Sequence, residues 1–122
     1  MPSDDVQDFI RANLRSVWEL ELLLLMSSQR TRAWSADELN RELRSSVSLV
    51  RQILGKFERV GLVAAADGGA HRYAPRTPEL ERAVDRLERT YAARPLEIVR
   101  QIVAAPNEKI QTLADAFKVK KD

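Results

Sequence analysis

From Asp4 to Ser28 the chain carries no glycine, and apolar residues return at Phe9, Leu14, Val17, Trp18, Leu20, Leu22 to Leu25 and Met26. This recurrence predicts one long helix, bent near Asn13 and capped at its start by Ser3 or a neighbouring Asp. Only Glu19 and Glu21 interrupt its apolar second half, so that half is expected to be covered from two directions. A basic link, QRTRAW from Gln29 to Trp34, is a candidate short strand. In SADELNRELR, Ser35 to Arg44, Ser35 and Glu38 have the spacing of a capping box, and Leu39 with Leu43 makes one apolar stripe. The next stretch, SSVSLVRQILGKFERVGLV from Ser45 to Val63, predicts a helix capped by Ser45 or Ser46 and stopped by Gly61.

Beyond Gly61 the period changes. Leu62 to Ala66 and His71 to Ala74 predict two short strands, joined by Asp67-Gly68-Gly69, whose glycines accept the positive φ of a tight turn. Thr77 and Pro78 predict a helix start, and Leu80, Val84, Leu87 and Tyr91 form a single seam behind it. Pro95 and Pro106 divide the remainder into two further helices, the first carrying Leu96, Val99, Ile102 and Val103 and the second Ile110, Leu113 and Phe117, before a basic KVKKD tail. The expected class is mainly α with a small β-hairpin (α+β). Its expected divisions are an N-terminal helical extension over 1–16, a central domain over 17–76, and C-terminal helices over 77–122 that serve packing and dimerisation.

Composition narrows the chemistry. With 122 residues, 44% hydrophobic and 31% charged, the chain has the size and balance of one domain with a real core. It contains no cysteine, which excludes disulfides, thiolate catalysis and Cys-ligated metal. It has one histidine, no phosphate-binding loop and no cluster with metal-ligand spacing, so no enzyme, cofactor or metal is expected. The acidic start is unlike a secretory signal and LLLLM is too short to span a bilayer; a cytoplasmic protein is expected. Charge is uneven: residues 30–76 hold nine basic and five acidic residues, against two and five before them and nine and eight after. The positive excess therefore falls on the central third.

At about 100° per residue, Val47, Leu49, Val50, Ile53, Leu54, Phe57 and Val60 fall in one half of the central helix. Ser48, Arg51, Gln52, Gly55, Lys56, Glu58 and Arg59 fall in the other. Together with the order helix, strand, helix, tight turn, helix and glycine-tipped hairpin, residues Val17 to Ala74 resemble the winged helix-turn-helix of ArsR-type and MarR-type bacterial regulators. The resemblance rests on the serines opening the helix, on Val47, Val50 and Leu54, and on Gly61-Leu62-Val63 and Arg72-Tyr73 around the hairpin. The metal-sensing cysteines of ArsR proteins are absent.

The resemblance implies a DNA-binding transcriptional regulator, with the helix at about 46–60 in the major groove of double-stranded DNA and the 62–74 hairpin as wing. Arg51 and Gln52 are the candidates for base edges. Arg44, Ser45, Ser46, Ser48, Lys56 and Arg59 are the candidates for phosphates, and His71 and Arg72 for contacts from the wing. A homodimer through the first and C-terminal helices is expected. Glu58 on the same face and the modest net charge of +2 support an alternative, a winged-helix module that binds protein and no DNA. Trp18 and Trp34 are expected in the core.

Overall fold

The computed structural model describes residues 4–104. Where the apolar pattern predicts one bent helix there are two, α1 (Asp4–Asn13) and α2 (Val17–Ser28). The break has a chemical cause. Asn13 Nδ2 donates to the Phe9 carbonyl as α1 ends, and Ser16 turns extended, its Oγ accepting the Glu19 amide at 3.2 Å to start α2. The Glu19 carboxylate reaches back and accepts the Arg15 amide, so the joint is capped from both sides.

The remaining elements are β1 (Ala33–Trp34), α3 (Ala36–Leu43), α4 (Val47–Val60), β2 (Val63–Ala65), β3 (His71–Tyr73), α5 (Pro78–Ala93) and α6 (Pro95–Ala104). The three strands form one antiparallel sheet in the order β1-β3-β2, with Trp34 opposite His71 and Val63 opposite Tyr73. Between β2 and β3, Asp67–Gly69 makes a single 3-10 turn in which Gly68 and Gly69 have φ of 69° and 78°. The described residues thus form a mainly helical α+β domain of six helices and a small sheet.

Local chemistry fixes each helix end that matters for the exposed face of α4. At the start of α3 both capping-box bonds are made, Glu38 N–H to Ser35 Oγ at 3.1 Å and Ser35 N–H to Glu38 Oε1 at 2.9 Å. The Ser35 amide, followed by the Arg32 guanidinium, holds the Glu38 carboxyl below its ordinary range. Ser46 caps α4 by accepting the Leu49 amide at 3.1 Å. At the other end Gly61, with φ of 85°, lets its own amide reach the Glu58 carbonyl and the Leu62 amide reach the Phe57 carbonyl. This double return is a Schellman motif, with Phe57 and Leu62 both fully buried in the same core cluster.

Arg44 breaks a rule. It ends α3 in the left-handed region, φ 56° and ψ 44°, where glycine or asparagine is the usual occupant. Arg44→Gly is therefore expected to raise stability by about 0.5–1 kcal/mol through relief of that strain, net of the added freedom of the unfolded chain. Urea denaturation would show it; a loss of stability would mean that the Arg44 side chain contributes more packing than its exposed position implies.

One buried cluster joins Val6, Phe9 and Ile10 of α1, and Leu14 just after it, through to Ile98 and Ile102 of α6. Leu20, Leu22, Leu23 and Met26 of α2 lie inside it, and α2 packs against α3, β3 and α6. Its double coverage thus comes from its own chain and does not by itself call for a second subunit. The α5 seam has Val84 and Leu87 buried with Leu80 and Tyr91 at its edges, packed on α1 and α6.

Two apolar expectations need correction. Trp18 is 38% exposed, because the start of α2 turns it outward while Glu19 takes the inner position. Val60 is also 38% exposed, at the last turn of α4 where the chain leaves the core. On α6 the residues facing inward are Ile98 and Ile102, whereas Leu96 and Val103 are 69% and 72% exposed. The expected helix with Ile110, Leu113 and Phe117, and the basic tail, lie outside the described residues.

Arg30, given no role by the sequence pattern, joins the sheet to α5. Its Nη2 lies 2.5 Å from Asp85 and 2.8 Å from Glu88, its Nη1 3.6 Å from Glu81, and its guanidinium 5.1 Å from the centre of the Tyr73 ring. The bond to Asp85, against some burial, drives the guanidinium further into its charged range, and burial raises the Tyr73 hydroxyl well above its ordinary value.

Candidate nucleic-acid interface

Helix α4 divides as its spacing requires. Val50, Ile53, Leu54 and Phe57 are buried, while Ser48, Arg51, Gln52 and Arg59 are exposed. None of these four exposed side chains makes an ion pair or side-chain hydrogen bond among the described residues, so their donors are available to a ligand. Arg44 is exposed at the turn from α3, beside the start of α4. Hydrogen bonds hold that turn: the Ser45 amide donates to Asn40 Oδ1 at 3.0 Å and the exposed Ser46 spends its hydroxyl as the cap, whereas the hydroxyl of Ser48, also exposed, is unengaged among the described residues.

Lys56 stands apart from the other cations. Its Nζ lies 2.7 Å from Glu19 Oε2, with the two side chains only 25% and 10% exposed. Glu19 therefore spends one carboxylate oxygen on the Arg15 amide and the other on Lys56, tying the first turn of α2 to α4. The structure gives this lysine an internal partner instead of leaving it free on the surface.

On the hairpin, Arg72 is exposed and its Nε donates to the Thr31 carbonyl at 3.3 Å. His71 turns the other way, toward α4, with Nε2 2.9 Å from Glu58 Oε1. A carboxylate only accepts, so Nε2 carries the hydrogen of this contact; Nδ1 is buried without a partner. Between the start of α3, the outer face of α4 and the hairpin tip lies a cleft of about 470 Å³, lined among others by Asp37, Arg51, Gly55, Glu58, Gly68 and His71. A Cβ on Gly55 would meet nothing closer than Arg59 Nη1 at 3.5 Å. Packing within the chain therefore does not demand a glycine there, and its smallness leaves the cleft floor open.

The arrangement brings Arg44, Arg51, Gln52, Arg59 and Ser48 to one exposed surface, with Arg72 on the hairpin. It draws Lys56 inward and couples His71 to Glu58. Sequence reasoning missed Glu19, although the Ser16 to Glu19 spacing is the same capping signal that was read at Ser35 and Glu38. It also missed Asp37, for which no local signal exists, since only the tertiary fold brings it to the cleft. Among the described residues no group of three or more His, Asp or Glu side chains is placed to hold a metal, and no helix is long and apolar enough to cross a membrane. Comparisons of the chain with protein-family models, with curated proteins and with solved structures find no match.

Proposed function

We propose that this chain is a winged helix-turn-helix protein that binds double-stranded DNA and regulates transcription, with α4 as the reading helix and residues 62–74 as the wing. The observation that carries the reading is the division of α4: four core residues on one side, and on the other Arg51, Gln52 and Arg59 exposed with unengaged donors. A helix of this kind enters a major groove about 12 Å wide, where Arg pairs with guanine and Gln with adenine. The wing is supported by the packing of β2 against α4 and by the His71–Glu58 contact, which keep the 62–74 hairpin beside that helix.

In this reading Arg51 and Gln52 contact base edges, while Arg44, Ser48 and Arg59 contact phosphates and Arg72 reaches from the wing. Ser45 and Ser46 act chiefly by holding the turn. A homodimer through the first and C-terminal helices, drawing on the exposed Trp18, Leu96 and Val103, would set two α4 helices about 34 Å apart on successive turns of DNA. A second reading, a protein-binding module, draws support from Asp37 and Glu58 within the cleft and from the inward Lys56.

Fluorescence anisotropy on duplex recovered by genome-wide selection separates the two. Arg51→Ala with Arg59→Ala is expected to weaken binding by about tenfold or more and to flatten the dependence of log K on log salt by about 1 to 2. Unchanged affinity in that double variant would remove this face from the interface. A stoichiometric protein partner together with no DNA retention at low salt would select the second reading.

A further inference from the structure

We infer that the contact between His71 and Glu58 makes DNA binding respond to protons, acidification favouring the bound state; this rests on the DNA-binding reading above. Glu58 lies on the outer half of α4, where a bare carboxylate opposes an approaching phosphate. The structure assigns it one partner from another element, the His71 imidazole beside the hairpin turn, 2.9 Å away. That imidazole is 18% exposed and Glu58 is 49% exposed, so the pair spans the border between cleft and solvent.

The contact already uses the Nε2 hydrogen, so an added proton goes to Nδ1, a buried atom without a partner, and the neighbouring Glu58 carboxylate must offset the cost of placing it there. Histidine is the side chain that changes charge between about pH 5 and 8. With the imidazole neutral, the pair carries one net negative charge on the DNA-facing side; with it protonated, the pair carries none. The hydrogen bond becomes a charge-assisted one that fastens β3 to α4, and the local repulsion of phosphate is relieved. Both effects act in the same direction on binding.

The other charged groups around His71 do not duplicate this role. From α3 the cleft receives Asp37, and from α4 it receives Arg51 as well as Glu58, with Arg59 reaching back over Gly55. On the neighbouring strand β1, His71 lies opposite Trp34, whose ring is covered by the Arg32 guanidinium at 3.5 Å, and Arg32 is itself paired with Glu38 at 3.1 Å. On β2 the opposing residue is Ala65, and Asp67 stands in the turn beyond. Of these groups, the histidine alone is of a type that changes charge near neutrality.

Linkage sets the size of the effect. Uptake of one proton on binding steepens affinity by at most tenfold per pH unit, so a rise of about threefold or more from pH 8 to pH 6 is expected. The experiment is an anisotropy titration of the full chain with a fluorescein-labelled mixed-sequence duplex of about three helical turns, at low salt and at both pH values. Wild type, His71→Gln and Glu58→Gln are compared, with circular dichroism to verify that each is folded. Wild type is expected to bind more tightly at the lower pH, His71→Gln to lose the difference, and Glu58→Gln to bind at the higher pH as wild type does at the lower.

Binding that is equal at the two pH values, or a pH dependence that survives in His71→Gln, overturns the inference and leaves the DNA reading standing. No retention of duplex at either pH overturns both. Imidazole chemical shifts followed through the same titration identify the group that takes up the proton; a shift on binding confined to other residues also counts against His71.

Discussion

Phe57→Ala is expected to lower the free energy of unfolding by about 3–5 kcal/mol, the range for removing a fully buried aromatic side chain. Phe57 is 0% exposed and does two jobs at once. Its ring fills the core beneath α4, and its carbonyl receives the Leu62 amide at 2.8 Å where the chain turns from helix into hairpin. Truncation leaves a void in the cluster that also holds Leu62 after this turn, so the hairpin should loosen along with the core. Since a domain of this size has about 5–15 kcal/mol in total, the variant would sit near the edge of folding at ambient temperature. Urea denaturation followed by circular dichroism measures it, and a loss below about 1 kcal/mol would contradict the buried position of the ring.

The second large effect concerns Glu19 and Lys56. Removing one partner of a shielded ion pair leaves the other charge without compensation, at about 3–5 kcal/mol when both are fully buried. Lys56 keeps a quarter of its side chain in solvent, so about 2 kcal/mol is expected for Lys56→Met and somewhat more for Glu19→Leu, which also abandons the Arg15 amide. The double variant should cost clearly less than the sum of the two, because apolar side chains then replace both charges. Strict additivity in a double-mutant cycle would show that the two groups do not interact. Glu19→Gln adds a functional test: it weakens the hold on Lys56, and if that lysine then reaches phosphate, duplex affinity rises even as stability falls.

Why some of this was legible in the sequence is a matter of range. The Ser35 to Glu38 capping box, the Ser46 cap, the Gly61 stop, the glycine turn and the Thr77-Pro78 start all act within five residues, so their residue types alone announce them. The division of α4 was legible because a helix has one period. The joint between α1 and α2 was missed because apolar recurrence passes straight through it, and the capping chemistry of Ser16 and Glu19 outweighs that recurrence. Nothing local could have paired Lys56 with Glu19, 37 residues away, or gathered three α5 carboxylates around Arg30, more than 50 residues away. Those contacts exist only once the core has brought the helices together. The same holds for the cleft that contains Asp37, Arg51 and His71.

The Arg30 contact has a mechanical side. Glu81, Asp85 and Glu88 follow one another along α5 at intervals of four and three, a ladder of carboxylates on one helical face, and a single guanidinium rests among them. Were α5 to lift away from the sheet, every rung would be lost together, along with the seat over Tyr73. The joint between the hairpin-bearing sheet and α5 is thus stiff to separation, because one guanidinium holds three carboxylates of a single helical face while Val84 and Leu87 anchor that helix in the core.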